Sequence, residues 1–196
     1  MKKSIAFICV LSVVPCMAAV GRASAAPDAK ALQAATSTPP SEMSALYPRI
    51  GKWNVTLRTV PGRSSTKAGV DHGVMTITKG PGGFSVVQDF WSRGTSGHVV
   101  GQSYTWWDPR AKSYKSVWCD NMQGCTEFTT VIAGNAWTVE LDSEAGGDKV
   151  HTIIHATMSA DHNAIHEETA NSYNDGPSQT ETVSEYKRIM VAAKPD

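Results

Sequence analysis

The sequence predicts an all-β protein, an antiparallel up-and-down barrel of about ten strands that follows one short helix. From Ile50 onward apolar and polar residues alternate with a period of two, as Trp53, Val55 and Leu57 do, which is typical of half-buried strands. The joints between strand-like segments are short, whereas a parallel crossover needs about a dozen residues. Consecutive strands are therefore expected to be antiparallel neighbours, and a closed barrel would leave no exposed sheet edge. A two-sheet sandwich is the alternative.

Further strand-like segments follow the first one at short intervals. Runs of Gly, Pro, Asn and Asp separate them, because these residues fix φ or tolerate positive φ in turns. The segments cover residues 73–79, 84–92, 98–107, 113–119, 125–133, 136–142, 150–158, 164–173 and 180–191.

A short helix is expected just before the first strand. Ser41 is a suitable N-cap residue, and Met43, Leu46 and Tyr47 share one helical face. Pro48 should stop this helix.

The N-terminus predicts a secretory signal peptide over residues 1–25. A charged start and an apolar run precede the small-residue cleavage site Ala23-Ser24-Ala25. A lipoprotein signal at Cys16 is the alternative, but no small residue stands just before it, as lipidation would require. We therefore expect a periplasmic or secreted protein.

Three further segments complete the predicted organisation. Residues 26–40 are rich in Ala, Thr and Pro and predict a disordered tether. Residues 41–191 form the barrel domain, and residues 192–196 form a tail.

The charge and hydropathy of the mature chain limit its partners. The chain has 18 basic and 18 acidic residues, and loss of Lys2, Lys3 and Arg22 with the signal leaves a net charge of −3. This mild balance, without a basic stripe, argues against nucleic acid as a partner. No apolar run of about 18 residues follows the signal, so no stable membrane insertion is expected after cleavage.

The order of several short motifs resembles a bacterial lipocalin-like family, domain of unknown function number 1579. The matching residues span about residues 46–190 and are Gly51-Lys52-Trp53, Gly101, Trp107-Asp108-Pro109 before Tyr114, Trp118-Cys119-Asp120, and Tyr186-Lys187-Arg188. The resemblance implies a small barrel with an internal cavity and no agreed activity. It also implies structural roles for Trp53 and Arg188, with the indole buried on the barrel floor and the arginine packed against its face.

Cys119 and Cys125 remain in the mature chain, on either side of a tight turn. Opposed residues of an antiparallel pair lie about 4.5–5.5 Å apart between Cα atoms, within reach of a disulfide. We predict a disulfide across this hairpin. A redox-active dithiol is the alternative, although the spacing is not Cys-x-x-Cys.

Four histidines, His151, His155, His162 and His166, lie on two successive strand-like segments and the turn between them. If the hairpin turns near residues 160–161, His155 lies opposite Glu167 or His166, and such a group could bind zinc or haem iron. Solvent-facing histidines on a polar face are the alternative, and we expect neither metal nor cofactor.

Aromatic residues suggest where a ligand could bind. Trp107, Tyr114, Trp118 and Trp137 are predicted to line the barrel, with serines and threonines in phase with them. Such walls suit a small, mostly apolar molecule with one polar end. The same aromatics could instead fill a packed barrel.

The sequence therefore favours a non-catalytic protein that binds a small apolar ligand in the barrel. No nucleophile elbow, phosphate loop or His-Glu-x-x-His motif is present in the sequence. An isomerase, cyclase or hydrolase in the same cavity is the first alternative, and buried titratable groups would favour it. A packed barrel that acts through its surface is the second.

The predicted signal peptide gives the first test. The exported protein should begin at Ala26, because cleavage after Ala25 follows the small-x-small motif. Intact-mass analysis of protein from the periplasm or medium of its host checks this. Retention of Met1 in that material would contradict it.

Overall fold

The computed structural model describes residues 38–190 and shows a closed barrel of ten antiparallel strands, which confirms the predicted fold class. Each strand pairs with the next along the chain, and β1 closes the barrel by pairing with β10. A 3₁₀ helix, Ser41–Arg49, precedes the strands β1 (Gly51–Thr59), β2 (Gly69–Lys79), β3 (Val86–Gly94), β4 (Gly97–Asp108), β5 (Ser113–Asp120), β6 (Gly124–Ala133), β7 (Ala136–Ala145), β8 (Asp148–Met158), β9 (Ala164–Tyr173) and β10 (Gln179–Arg188). The predicted signal peptide and the tail beyond residue 191 lie outside the described residues, as does most of the predicted tether.

Several element boundaries differ from those expected. The helix is 3₁₀ and runs one residue past Pro48, with the Ile50 N–H donating to the Tyr47 carbonyl at 3.0 Å. Strand β2 begins at Gly69, four residues earlier than predicted, because the inward position at Asp71 is polar and hid the alternation.

The ends of β3 and β10 also differ from the prediction. A single 3₁₀ turn, Pro81–Gly83, delays the start of β3 from the expected Phe84 to Val86. Strand β10 ends at Arg188 rather than at residue 191. Arg188 pairs with Trp53, and β1 has only two residues before Trp53, so little of β1 remains for β10 to pair with.

The apolar core lies at one end of the barrel, which we name the closed end. The helix packs there, and its Met43 and Leu46 side chains are fully buried. Strand residues of the same cluster include Trp53, Ile77, Val86, Tyr114, Trp137, Met158 and Ile165. The opposite end, the open end, carries the loops of residues 60–68, 95–96, 121–123, 146–147 and 174–178.

Arg188 and Trp53 hold the helix on the closed end. The two residues are cross-strand partners, and the guanidinium carbon lies 4.1 Å from the centre of the fully buried indole ring. Arg188 donates to the carbonyls of Pro48 at 2.7 Å, Ile50 at 2.6 Å and His162 at 2.8 Å. The guanidinium therefore satisfies carbonyls that the end of the helix would leave without partners.

Gly51 leaves room for this guanidinium. Its φ of 146° is unfavourable for other residues, and a Cβ atom there would collide with Arg188.

The predicted disulfide between Cys119 and Cys125 is present at the open end. The two residues are direct cross-strand partners on β5 and β6, with Cα atoms 4.0 Å apart. In the turn between them, Asp120 accepts the N–H groups of Met122 and Gln123. Among residues 38–190, no helix is long and apolar enough to cross a membrane.

Trp53 should be essential for stability. Trp53→Ala should lower the free energy of unfolding by about 3–5 kcal/mol, because it leaves a cavity in the core and removes the surface under Arg188. Urea denaturation measures this. The matched control is Trp91→Ala, which removes an indole that is 48% exposed on the outer face of β3 and should cost about 1 kcal/mol or less. A loss below about 1 kcal/mol for Trp53→Ala would show that the indole does not support the barrel floor.

Candidate functional site in the barrel interior

Two of the four aromatics predicted to bind a ligand pack beneath the helix. Trp107 and Tyr114 are cross-strand partners whose ring centres lie 5.0 Å apart, edge to face. The Tyr114 hydroxyl donates to the Glu42 carbonyl at 2.7 Å, which joins β5 to the helix. Both residues thus contribute to the closed end, and their contact with a ligand stays a prediction.

Trp118 lies farther from the helix, on the inward face of β5. Its ring centre is 5.9 Å from that of Phe90, and its indole N–H donates to the Asp120 carboxylate at 2.6 Å. The ring lies over Gly101, where a Cβ atom would collide with it, which explains a glycine in the middle of β4. The half-buried Trp118 is therefore fixed in orientation at the wall of the interior.

Trp137, the fourth predicted aromatic, supports an arginine inside the barrel. The Arg49 guanidinium carbon lies 4.4 Å from the centre of the Trp137 ring. Arg49 is the last residue of the helix, and its carbonyl accepts the Trp53 indole N–H at 3.0 Å. The arginine backbone is thus held at the closed end while its side chain extends into the interior.

Two further titratable groups face the same space. Glu167 shares the inward face of β9 with the buried Ile165, and the Tyr186 hydroxyl on β10 donates to its carboxylate at 2.8 Å. Burial raises the pKa of Glu167 above its usual 4.5, although Tyr186 and Arg49 act to lower it. Burial and the neighbouring carboxylate raise the pKa of Tyr186 well above 10. We call Arg49, Glu167 and Tyr186 the interior polar cluster.

One inward row of side chains runs across four strands beside this cluster. Trp137, Ala156, Glu167 and Ser184 are successive cross-strand partners on β7 to β10, so they form one inward row. The small Ala156 side chain separates the indole from the carboxylate. Arg49 and Glu167 are surrounded by protein, yet each keeps some surface accessible to water. The row therefore combines an indole, a methyl group, a carboxyl and a hydroxyl on one stretch of the inner wall.

Hydroxyl groups line the other side of the interior. Ser103, Thr105, Ser116 and Thr130 are all buried on inward positions, and the Thr105 and Ser116 oxygens lie 2.9 Å apart. The sequence predicted Ser103, Thr105 and Ser116 at inward positions, because each lies an even number of residues from Trp107 or Tyr114 on the same strand. The walls between the closed end and the open end are thus polar as well as apolar.

Several inward apolar side chains in the middle of the barrel are only half-buried. Four half-buried apolar side chains share the inward faces of their strands with residues of the closed-end core. They are Leu57, Phe90, Phe128 and Ile154. Inward side chains near the helix are almost fully buried by comparison. Farther toward the open end Asp71, Ser92, Val150 and Glu181 are buried again, so the half-buried positions lie in the middle of the barrel wall.

Glu181 ties a loop across part of the open end. Its buried carboxylate lies at a register shift in β10 and accepts the N–H groups of Arg63 and Ser64, the Asn171 amide and the Tyr173 hydroxyl. Burial alone would raise its pKa, but hydrogen bonds, including those from Ser64 and Asn171, outweigh burial and lower it. The loop of residues 60–68 is thereby fixed at the open end.

The predicted histidine group lies outside the barrel. His155 pairs with Glu168, not with Glu167 or His166 as expected, because the turn is centred about one residue later and His162 adopts a positive φ of 59°. His166 accepts or donates hydrogen bonds with Glu185 at 2.7 Å and Glu168 at 3.2 Å, which raise its pKa. Among the described residues, no three His, Cys, Asp or Glu side chains form a group that could hold a metal ion.

Two recesses lie outside the central space. A groove of about 390 Å³ at the open ends of β7, β8 and β9 is lined by charged side chains, among them Asp142, Lys149 and His151. A crevice of about 20 Å³ beside the helix reaches Arg49 and Trp137, which is enough for one water molecule.

Sequence reasoning missed the interior polar cluster. From the sequence alone, Glu167 is expected only as a residue opposite His155, on a strand with other polar residues. Its phase with the apolar Ile165 was the available signal, because residues two apart on a strand share one face. Arg49 had no such signal, since a helix end does not reveal where a long side chain extends.

Comparison with known proteins supports the fold. The chain aligns with the crystal structure of Rv2717c from M. tuberculosis at 12% identity and a TM-score of 0.55, covering 78% of this chain and 99% of that one. It aligns with the S-type phycobiliprotein lyase CPES from Guillardia theta at 8% identity and a TM-score of 0.50, covering 78% of this chain and 94% of that one. The shared class is the lipocalin-like barrel, and at such identities the likeness shows the fold alone.

No protein-family model matches the chain, and neither does the sequence of any curated protein. The resemblance to domain of unknown function number 1579 therefore stays a prediction.

The raised pKa of Glu167 predicts how stability depends on pH. Between pH 4.5 and the folded-state pKa, the unfolded chain loses the Glu167 proton while the folded chain keeps it, so this residue lowers stability as pH rises. Glu167→Gln removes that penalty and should raise the melting temperature at pH 7 but not at pH 4. The control is Glu140→Gln, an exposed carboxylate on β7, which should change neither value by a comparable amount. Equal effects of Glu167→Gln at both pH values would contradict the assignment.

Proposed function

We propose that this protein binds a small, mostly apolar molecule with one polar end in the interior of its barrel. The observation that carries the proposal is the half-buried state of inward side chains between the open end and the interior polar cluster. Apolar residues such as Leu57, Phe90 and Ile154 would contact the body of the ligand. The cluster and the buried hydroxyls would receive its polar end.

Trp118 and Trp137 are the two predicted aromatics best placed to contact such a ligand. Trp118 is half-buried on the open side, and Trp137 forms the floor under Arg49. Trp107 and Tyr114 would act indirectly, because they pack between the helix and the deeper part of the interior.

We also propose that the protein acts in the periplasm or outside the cell. The Cys119–Cys125 disulfide supports this, since such bonds persist in oxidising compartments and are rare in the cytosol.

A catalytic role in the same space is the second candidate function. A carboxyl group with a raised pKa, hydrogen-bonded to a tyrosine and near an arginine, is the kind of arrangement enzymes use for proton transfer. One structural neighbour is named as a lyase, so the fold is compatible with an enzyme. Incubating the protein with a small-molecule extract of its host, followed by mass spectrometry, separates the two functions. A carrier retains an unchanged molecule, whereas an enzyme depletes one and yields a product, and Glu167→Gln should stop that turnover.

Substitutions at two adjacent isoleucines on β8 can show whether a ligand binds inside the barrel. Ile154 faces inward and Ile153 faces outward, so Ile154→Trp fills the interior while Ile153→Trp adds the same indole outside. With the neutral fluorescent probe N-phenyl-1-naphthylamine, the wild type should bind at about micromolar Kd. Ile154→Trp should weaken binding at least about tenfold, and Ile153→Trp should leave it within about twofold.

Fluorescence titration measures both Kd values, and circular dichroism confirms that each variant is folded. Equal binding by the two variants would place the probe outside the barrel. No binding by the wild type would favour a packed barrel that acts through its surface.

A further inference from the structure

Arg49 presents donors inside the barrel that the described residues do not use. Its guanidinium makes no hydrogen bond to any residue of 38–190, and its Nε atom is fully buried without a partner. A buried donor on a charged group that stays unpaired costs free energy, and arginine keeps its charge at all ordinary pH values. A water molecule in the adjacent 20 Å³ crevice could satisfy at most part of the five-donor fork.

Glu167 does not compensate this charge directly. Among the described residues, no carboxylate lies within 4.0 Å of the Arg49 guanidinium, so the two groups form no ion pair. Trp137, which lies under Arg49, and Glu167 are both register partners of the small Ala156, and Arg49 is near enough to act on the pKa of Glu167. The guanidinium therefore keeps donors that a planar acceptor could take.

We propose that the ligand of the barrel interior ends in an anionic group, a carboxylate in the simplest case, which binds Arg49 and brings one proton onto Glu167. The inference rests on the function proposed above and specifies the chemical class of the ligand. Arginine suits this role because its fork can donate two parallel hydrogen bonds to one carboxylate.

Proton uptake follows from the groups that surround Glu167. Arg49 from the helix and, with a smaller effect, His166 on β9 are the cations that lower its pKa, and Tyr186 from β10 donates a neutral hydroxyl. Strand β8 presents Ala156 and β10 also presents Ser184, neither of which is charged. His166 is next to Glu167 along β9 but points outward, to Glu185 and Glu168. An incoming anion would engage the charge of Arg49 and repel a carboxylate at Glu167, so the neutral acid is favoured in the complex.

The probes are decanoate and 1-decanol, which share an apolar chain and differ in charge. Isothermal titration calorimetry of the full mature protein at pH 7 should show decanoate binding at least about tenfold more tightly than decanol. Repeating the decanoate titration over a range of pH, in two buffers of different ionisation enthalpy, should reveal uptake of a proton from the buffer wherever Glu167 of the free protein is ionised. The decanoate affinity should fall as pH rises through the ionisation of Glu167, while the decanol affinity should change less.

Two variants with matched controls assign these effects to residues. Arg49→Gln should remove the preference for decanoate, whereas Arg58→Gln, an exposed arginine on β1, should keep it. Glu167→Gln should keep decanoate binding but abolish the proton uptake and the pH dependence, and Glu140→Gln should keep both. Because Arg49→Gln could fail to fold, the wild-type pH dependence and Glu167→Gln test the inference without it.

The outcomes separate this inference from the proposed function. Equal affinity for decanoate and decanol, unchanged by Arg49→Gln, would overturn the anionic ligand while leaving interior binding intact. Tighter decanoate binding without proton uptake would overturn the role of Glu167. Binding of neither decanoate, decanol nor the naphthylamine probe would overturn the proposed function and this inference together.

Discussion

The contact between Arg188 and Trp53 determines the geometry of the closed end, and the rest of the interior depends on it. One guanidinium bonds carbonyls of the helix end, the start of β1 and the turn between β8 and β9, while its face lies on the indole. The indole N–H in turn holds the Arg49 carbonyl. These bonds fix the last residue of the helix, and so they fix where the Arg49 side chain enters the barrel.

The polarity of the interior changes with distance from the helix. Next to the helix, large apolar side chains fill the barrel, as expected of a small core. One residue pair farther along the strands, Val55 and Met75 continue the core, but Thr105, Ser116 and Ala156 are small or carry hydroxyls. Arg49 and Glu167 lie in the same interior without an ion pair between them. Burying charged groups without close partners opposes folding, and such groups are concentrated at functional sites. This contrast between the two layers supports a binding or catalytic use of the second layer.

The open end is fixed by covalent and polar links rather than by apolar packing. The Cys119–Cys125 disulfide holds the β5–β6 turn, and Glu181 holds the loop of residues 60–68 through two of its backbone N–H groups. Arg63 of that loop also bonds Asp148 at 2.6 Å and lies 5.0 Å from the centre of the Tyr173 ring. These links hold two of the loops at the open end in place.

The sequence by itself determined the strand pattern, the antiparallel order, the disulfide across the β5–β6 turn and the apolar face of the short helix. Each of these depends on residues close together in the chain, through alternation, turn chemistry or spacing. Only the tertiary structure decided what meets inside the barrel. Arg49, Glu167 and Tyr186 come from the two ends of the domain, and closing β1 onto β10 brings them together. The register of β8 with β9, one residue from that expected, placed Glu168 opposite His155 on the outer face and Glu167 opposite Ala156 on the inner face. A shift of one residue exchanges the two faces of a strand, and local sequence does not specify it when both faces carry polar residues.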